Sequence, residues 1–173
     1  MIIIRLSILL LFIVIALQDF KQRAIHWVLF PMLMFFLVYE SLSLISLKDL
    51  INNVLFNMGF VILQMLLLFV FLIARGRSFG NIIDNEIGLG DLVLLITLAF
   101  GFSRVNFIVG YILALLFSLI LWVIISKIIK TQERVLPLAG FVSIACFLLF
   151  TFDFLFSFYN RFDDSFLISH LYG

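Results

Sequence analysis

A single cysteine, Cys146, leaves the chain without a disulfide of its own and without a thiolate set for a metal. Lying in the apolar stretch from Ser143 to Phe150, it reads as a small buried or lipid-facing side chain. Charge is scarce too: 12% of residues are Asp, Glu, Lys or Arg, and the formal net charge is +1. No basic patch is dense enough to neutralise phosphates, so nucleic acid is not an expected partner. Two prolines and nine glycines supply no Pro/Gly linker, and neither low-complexity sequence nor an internal repeat is visible. The 173 residues therefore read as one domain, 1–173. His26 and His170 fall on opposite expected faces and offer no metal pair, so neither a metal nor a cofactor is expected.

What is abundant is apolar surface. Hydrophobic residues make up 65% of the chain, and its mean hydropathy is +1.32. A water-soluble domain of this size cannot hide that much apolar side chain, whereas a bilayer can take it. The expected class is an all-α membrane protein with the lipid bilayer as its surroundings. Crossing about 30 Å of hydrocarbon takes about 20 helical residues, and six apolar runs stand out: Ile2–Leu17, Trp27–Ile45, Val54–Ala74, Leu92–Phe102, Phe107–Ile129 and Val135–Phe158. They predict a bundle of six transmembrane helices with a short fourth helix. That fourth run spans only if Ile87–Asp91 also lies at membrane depth, where irregular backbone must be buried in protein or line a wet cavity. The first run is not read as a signal peptide, because Ala16-Leu17-Gln18 is a poor cleavage site and five more runs follow.

Loop charge orients the bundle. Lys21 and Arg23, then Arg75 and Arg77, then Lys127, Lys130 and Arg134 fall in the first, third and fifth loops. Arg5, Lys48, Arg104 and Arg161 are scattered over the other side. Positively charged loops stay in the cytoplasm, so the expectation is a multi-pass protein of the inner (plasma) membrane with both termini outside. Asp19 lies in the first loop and Asp91 closes the third, which predicts both carboxylates on the cytoplasmic side.

Each aspartate has an ordinary reading. Asp19, in Gln18-Asp19-Phe20-Lys21-Gln22-Arg23, can be an interfacial acid neutralised by Lys21 or Arg23. Asp91, after Gly88-Leu89-Gly90, can be a helix N-cap behind a glycine turn. An acid at the membrane edge is also a functional candidate by default. Two carboxylates that share a site cannot both ionise comfortably, so one keeps its proton as the other loses its own. The pair then supplies a base that activates water and an acid that protonates a departing amide nitrogen, which is aspartic-protease chemistry. Asp84 and Glu86 read as a solvated mixed-charge surface. Asp153 reads as reaching water at the outer end of the last helix. Asn52, Asn53, Asn57 and Gln64 read as hydrogen-bonding bridges between helices, and Pro137 as fixing a helix start.

With these residues in place, the chain resembles the type IV prepilin peptidases, a family of intramembrane aspartyl proteases that includes the archaeal preflagellin peptidases. Its members carry an Asp, five residues and Ile-Pro after the first helix, and Gly-x-Gly-Asp at the fourth. Here Asp19 is followed by five residues and Ile25, and Gly88-Leu89-Gly90-Asp91 fits the second motif. Val135-Leu136-Pro137-Leu138-Ala139-Gly140-Phe141 is similar to a third element leading into the last helix. The likeness runs from about Ile2 to Phe158, with the order and spacing of all three elements matched. It implies Asp19 and Asp91 as the catalytic pair, with Gly88, Gly90, Ile25 and Pro137 as motif support. It further implies pilin-like precursors as substrates, cut behind a short basic leader. The chain departs from the family in having His26 where Pro follows the Ile, and Val93 where a Lys often follows the second Asp. No counterpart of the bacterial methyltransferase module is present, so methylation is not implied. Presenilin-like proteases share Gly-x-Gly-Asp but need more helices than this chain supplies. Two other functions fit the same residues: a non-catalytic relative that binds pilin-like membrane helices, and a small ion-coupled transporter using both aspartates.

Overall fold

The computed structural model describes residues 1–76, 88–129, 137–155 and 161–164. Arg77, Asp84, Glu86, Ile87, Lys130, Arg134, Val135, Leu136 and His170 lie outside the described residues. Among those described, every regular element is a helix: α1 (Ile2–Gln22), α2 (Leu29–Leu44), α3 (Leu47–Ala74), α4 (Leu89–Leu98), α5 (Arg104–Ile129) and α6 (Leu138–Leu155). Four of them, α1, α3, α5 and α6, are long and apolar enough to cross a membrane. At 1.5 Å per residue, the 16 residues of α2 reach about 24 Å and the ten of α4 about 15 Å.

Leu, Ile and Phe side chains are exposed along α3 and α5, for example Leu63, Leu67, Leu113 and Ile120. Water penalises a surface of that kind and a bilayer does not, which marks the chain as a membrane protein. The interior follows helical spacing. In α1, Ile8, Leu11, Phe12 and Ile15 form a buried stripe that packs against α2 and α6. One more turn along the same stripe is Asp19, itself buried at 8% exposure. The facing side of α6 carries small residues, Ala139, Gly140, Ser143, Ala145 and Cys146, all buried. Small side chains let two helix backbones approach closely where lipid gives no hydrophobic drive between them.

The short α4 replaces length with polar anchoring. Asn57, fully buried on α3, donates through its amide to the carbonyls of Ala99 (3.0 Å) and Phe102 (3.1 Å). Those carbonyls lie where α4 ends and its own ladder can no longer serve them. Ser41 on α2 donates to the Phe100 carbonyl at 2.8 Å. Asn57→Leu strands both buried carbonyls and is expected to cost about 2 kcal/mol or more, seen as a lower unfolding midpoint in detergent. An unchanged midpoint would show that α4 does not depend on this anchor.

At the far end of the bundle, isolated charges of three apolar stretches come together. Glu40, 1% exposed, contacts Arg5 Nε and Arg161 Nη2, each at 2.8 Å. These are close charge contacts rather than aligned hydrogen bonds. Arg161 also donates through Nε to Asp153 at 2.8 Å, and its guanidinium lies 3.7 Å from the Phe150 ring centroid. Asp153 therefore does not reach water as its position near a helix end suggests. Its side chain is 9% exposed and is held by Arg161. Beside it, Ser103 donates its backbone N–H to the Arg161 carbonyl at 3.0 Å. The Asp164 carboxylate accepts from the Ser103 hydroxyl and, at 3.3 Å, from the Asn106 N–H in the first turn of α5.

Candidate functional site

The other end of the bundle holds the aspartates. Asp19 sits one turn from the end of α1, and Asp91 is in the first turn of α4, whose N-cap is Gly88. The helix starts at Leu89, three residues before the apolar run, because the apolar count alone does not register the glycine-rich first turn. Asp91 does not cap its own helix. Its Oδ1 accepts the backbone N–H of Ala139 at 2.7 Å, and Asp19 Oδ2 accepts that of Gly140 at 2.6 Å. Ala139 and Gly140 are the second and third residues of α6, so their N–H groups are orphan donors of a helix start. The positive end of the α6 dipole stabilises negative charge there. Adjacent peptide nitrogens in a helix are about 3 Å apart, which keeps the two accepting oxygens within about 8 Å of each other.

The glycines have steric roles. A Cβ on Gly88 would stand 2.6 Å from Asp91 Oδ2, and one on Gly140 would stand 3.0 Å from Asp19 Oδ2 and 3.1 Å from the Phe20 ring. Gly90 faces Ile25: its Cβ would meet the Ile25 side chain at 3.4 Å, so the first and second motifs touch there. Pro137 is buried immediately before α6, and its carbonyl accepts the Phe141 N–H at 3.2 Å. Gly88→Ala keeps the helix start but displaces the Asp91 carboxylate. It should lower any activity that depends on Asp91 by at least tenfold with little change in thermal midpoint; full activity in that variant would remove the steric role.

The two departures from the motif pattern have local explanations. The backbone N–H of His26 donates to Gln18 Oε1 at 2.9 Å, tying the loop after α1 back to the turn that bears Asp19. Proline, which lacks that N–H, could not make this bond. Val93 is an exposed residue of α4, and a residue two positions from Asp91 projects from a different side of the helix.

A cavity of about 300 Å³ opens beside Asp91, bounded by α3, α4, α5 and the start of α6. Its walls are apolar apart from Asp91, Gln64 and Tyr111. By volume it has room for about ten waters. An entirely apolar groove of about 580 Å³ between α3 and α4 adjoins it and shares Met65 and Leu92 with it.

Neither a protein-family model nor a curated protein nor a solved structure matches the chain.

The site is accordingly read from its own geometry. Asp19, Asp91, Gly88, Gly90, Ile25 and Pro137 all lie at this end of the bundle. Among the described residues no group of three or more His, Cys, Asp or Glu side chains could hold a metal ion. What the sequence does not display is the role of α6: the Ala139 and Gly140 backbone amides carry no side-chain signal beyond small size. Tyr111 is likewise silent in sequence, one aromatic in a chain that is 17% aromatic.

Proposed function

We propose that the chain is an intramembrane aspartyl endopeptidase that removes the basic leader of type IV pilin-like precursors on the cytoplasmic side of the membrane. The observation that carries this reading is the attachment of Asp19 and Asp91 to successive amides of one helix start. One water can then be reached by both carboxyls. The ionised carboxyl takes a proton from that water, whose oxygen adds to the scissile carbonyl carbon. The protonated carboxyl gives its proton to the amide nitrogen as the C–N bond breaks, leaving a new acid and a new amine. The cavity beside Asp91 supplies water. The apolar groove next to it has the chemistry of the hydrophobic helix that follows the leader in such precursors.

The accompanying topology is six crossings in the inner membrane, with α2 and α4 as the short members and both termini outside. Lys21, Arg23 and Arg75 support this orientation, since all three are exposed at the end that carries the aspartates. A second reading has one observation in its favour. Carboxylates that accept α6 amides would also serve as caps supplied from other helices, with no catalysis. Incubating the purified chain in bilayers with a precursor made of basic leader, glycine and apolar helix separates the two. Release of the leader behind the glycine supports the peptidase; an intact precursor overturns it.

A further inference from the structure

The helices do not share one apolar length, and the mismatch sets the depth of the site. Two polar layers mark heights in the bundle. In the first, Glu40 joins Arg5 to Arg161, Arg161 holds Asp153, and the Arg161 carbonyl accepts the Ser103 N–H. The neighbouring Arg104 guanidinium lies 5.9 Å from the Phe56 ring centroid, which puts α3 and α5 on the same scale. The second layer is the aspartates. Arg5 to Asp19 on α1 and Asp153 to Ala139 on α6 are both steps of 14 residues, about 21 Å at the rise of an α-helix. The cavity beside Asp91 is walled by Gln64, Met65 and Leu68 of α3 and by Tyr111 and Leu115 of α5. Those residues therefore stand at the height of the pair.

From that height α3 and α5 run on without a charge. α3 continues to Ala74, about 9 Å past Leu68, and α5 reaches Lys127, about 18 Å past Leu115. No Asp, Glu, Lys, Arg or His stands between Asp49 and Arg75 or between Arg104 and Lys127. Val70, Ile73, Leu119, Ile120, Val123 and Ile124 are exposed along these extensions. Among the described residues none is buried past Val61 on α3 or past Ser118 on α5. Measured from the Arg104 layer, about 30 Å of hydrocarbon ends near Arg75 and within a turn of Lys127, well beyond the aspartates.

The α1–α2 side stops short of that. Residues 23–28 join the two helices as irregular backbone, with Arg23, Ala24, His26 and Trp27 exposed. Leu29 to Glu40 is a step of 11 residues, so this loop lies about 17 to 25 Å from the first layer. Irregular backbone facing outward finds no partner for its N–H and C=O groups among acyl chains. A charge-free helical surface at the same height is penalised by water.

We propose that the protein meets the bilayer at two thicknesses: full hydrocarbon along α3 and α5, and a leaflet drawn inward to residues 23–28 on the α1–α2 side. Headgroups and water then reach Asp19 and Asp91 at a depth where α3 and α5 still face acyl chains. The partner is the phospholipid bilayer itself, and local thinning relieves the mismatch. Lys21 supplies a cation for lipid phosphates at the lowered surface, and Trp27 an amphipathic ring suited to such a boundary. On the peptidase reading, the junction of polar leader and apolar helix meets both surroundings at one site.

The experiment places single nitroxide-labelled cysteines in the full chain, with Cys146→Ala, in vesicles of dioleoyl phosphatidylcholine and phosphatidylglycerol. Collisions with oxygen, which concentrates in acyl chains, and with a water-soluble nickel chelate report the surroundings of each label. Ala24→Cys should meet the chelate. Val70→Cys and Ile120→Cys, both at the height of the loop, should meet oxygen, with an oxygen-to-chelate ratio about tenfold that at Ala24 or more. His26→Cys, Ile73→Cys and Leu119→Cys repeat the comparison, so a label that disturbs one position leaves the result decidable. Labels that are all in water would place the surface at the aspartates and overturn the proposal. Labels that are all in acyl chains would sink the loop into lipid and overturn it too. Val70 and Ile120 labels shielded from both reagents would mean that a second copy or another protein covers α3 and α5, which also overturns it. None of these measurements needs turnover: a chain that releases no leader would overturn the peptidase reading and leave this placement standing.

Discussion

Asp91→Asn and Asp19→Asn are each expected to lower leader release by about 10³-fold or more, while the protein inserts and unfolds as the wild type does. Asparagine is the informative replacement because it keeps an oxygen that accepts an N–H, and at helix starts it is as good a partner as aspartate. The contacts to Ala139 and Gly140 therefore survive the substitution. What disappears is the capacity to gain and lose a proton, which carries general acid and base catalysis. If the carboxylates only hold α6 in place, both variants stay close to wild type in every assay. If they are the acid and base, stability is retained and cleavage is not. Full cleavage by either Asn variant would end the assignment of Asp19 and Asp91 as an acid–base pair. Retained cleavage in one variant alone would show that a single carboxyl carries the reaction.

The largest loss of stability is expected at the opposite end, from Glu40→Gln. Among the described residues Glu40 is the anion that lies between Arg5 and Arg161, and it is as buried as Arg161. Removing its charge leaves the buried Arg161 guanidinium with Asp153 as its remaining counter-charge among the described residues. Breaking a buried pair in this way typically costs about 3 to 5 kcal/mol, far more than the same change on a surface. The readout is the unfolding midpoint in detergent, together with protease sensitivity of the segment around Arg161. Replacing Glu40, Asp153 and Arg161 together by Met and Leu should recover most of the loss, because the most deeply buried charges are then gone and Arg5, whose side chain is 26% exposed, can turn to water. A Glu40→Gln protein as stable as the wild type would mean that water reaches this cluster and solvates it.

These two ends of the bundle were unequally legible in the sequence. The helices could be read from apolar runs because lipid-facing and core-facing residues are alike in composition, and a long run signals a helix whatever it touches. Their exact starts could not: α4 begins within Gly88-Leu89-Gly90-Asp91, where the glycines interrupt the apolar signal. Asp19 and Asp91 were visible as acids at the membrane edge within spaced motifs. The Glu40 cluster was not, although a general signal existed, since an acid in the middle of an apolar run has to find a counter-charge. Its partners are separated from it by 35 residues on one side and 121 on the other, and only packing brings them together. Asp153 was misjudged for the same reason. Proximity to a helix end suggested water, whereas Arg161 closes over it. The Ala139 and Gly140 amides were unreadable in principle, because backbone donors are present at every non-proline position and only the helix start leaves these two available.

That Ala139 and Gly140 are consecutive has a consequence for how the site tolerates change. The spacing of the two carboxylates is measured off by one covalent repeat of the chain, a ruler that does not stretch. It does not depend on how closely α1 packs against α4. Substitutions in the loop after α1 or on the exposed side of α4, such as at His26 and Val93, can alter local packing without altering the gauge. A shift of α6 by one residue would instead present each acid to the wrong peptide unit and rotate the pair about 100° around the helix axis. Insertion of one alanine after Pro137 is the change against which this arrangement has no defence.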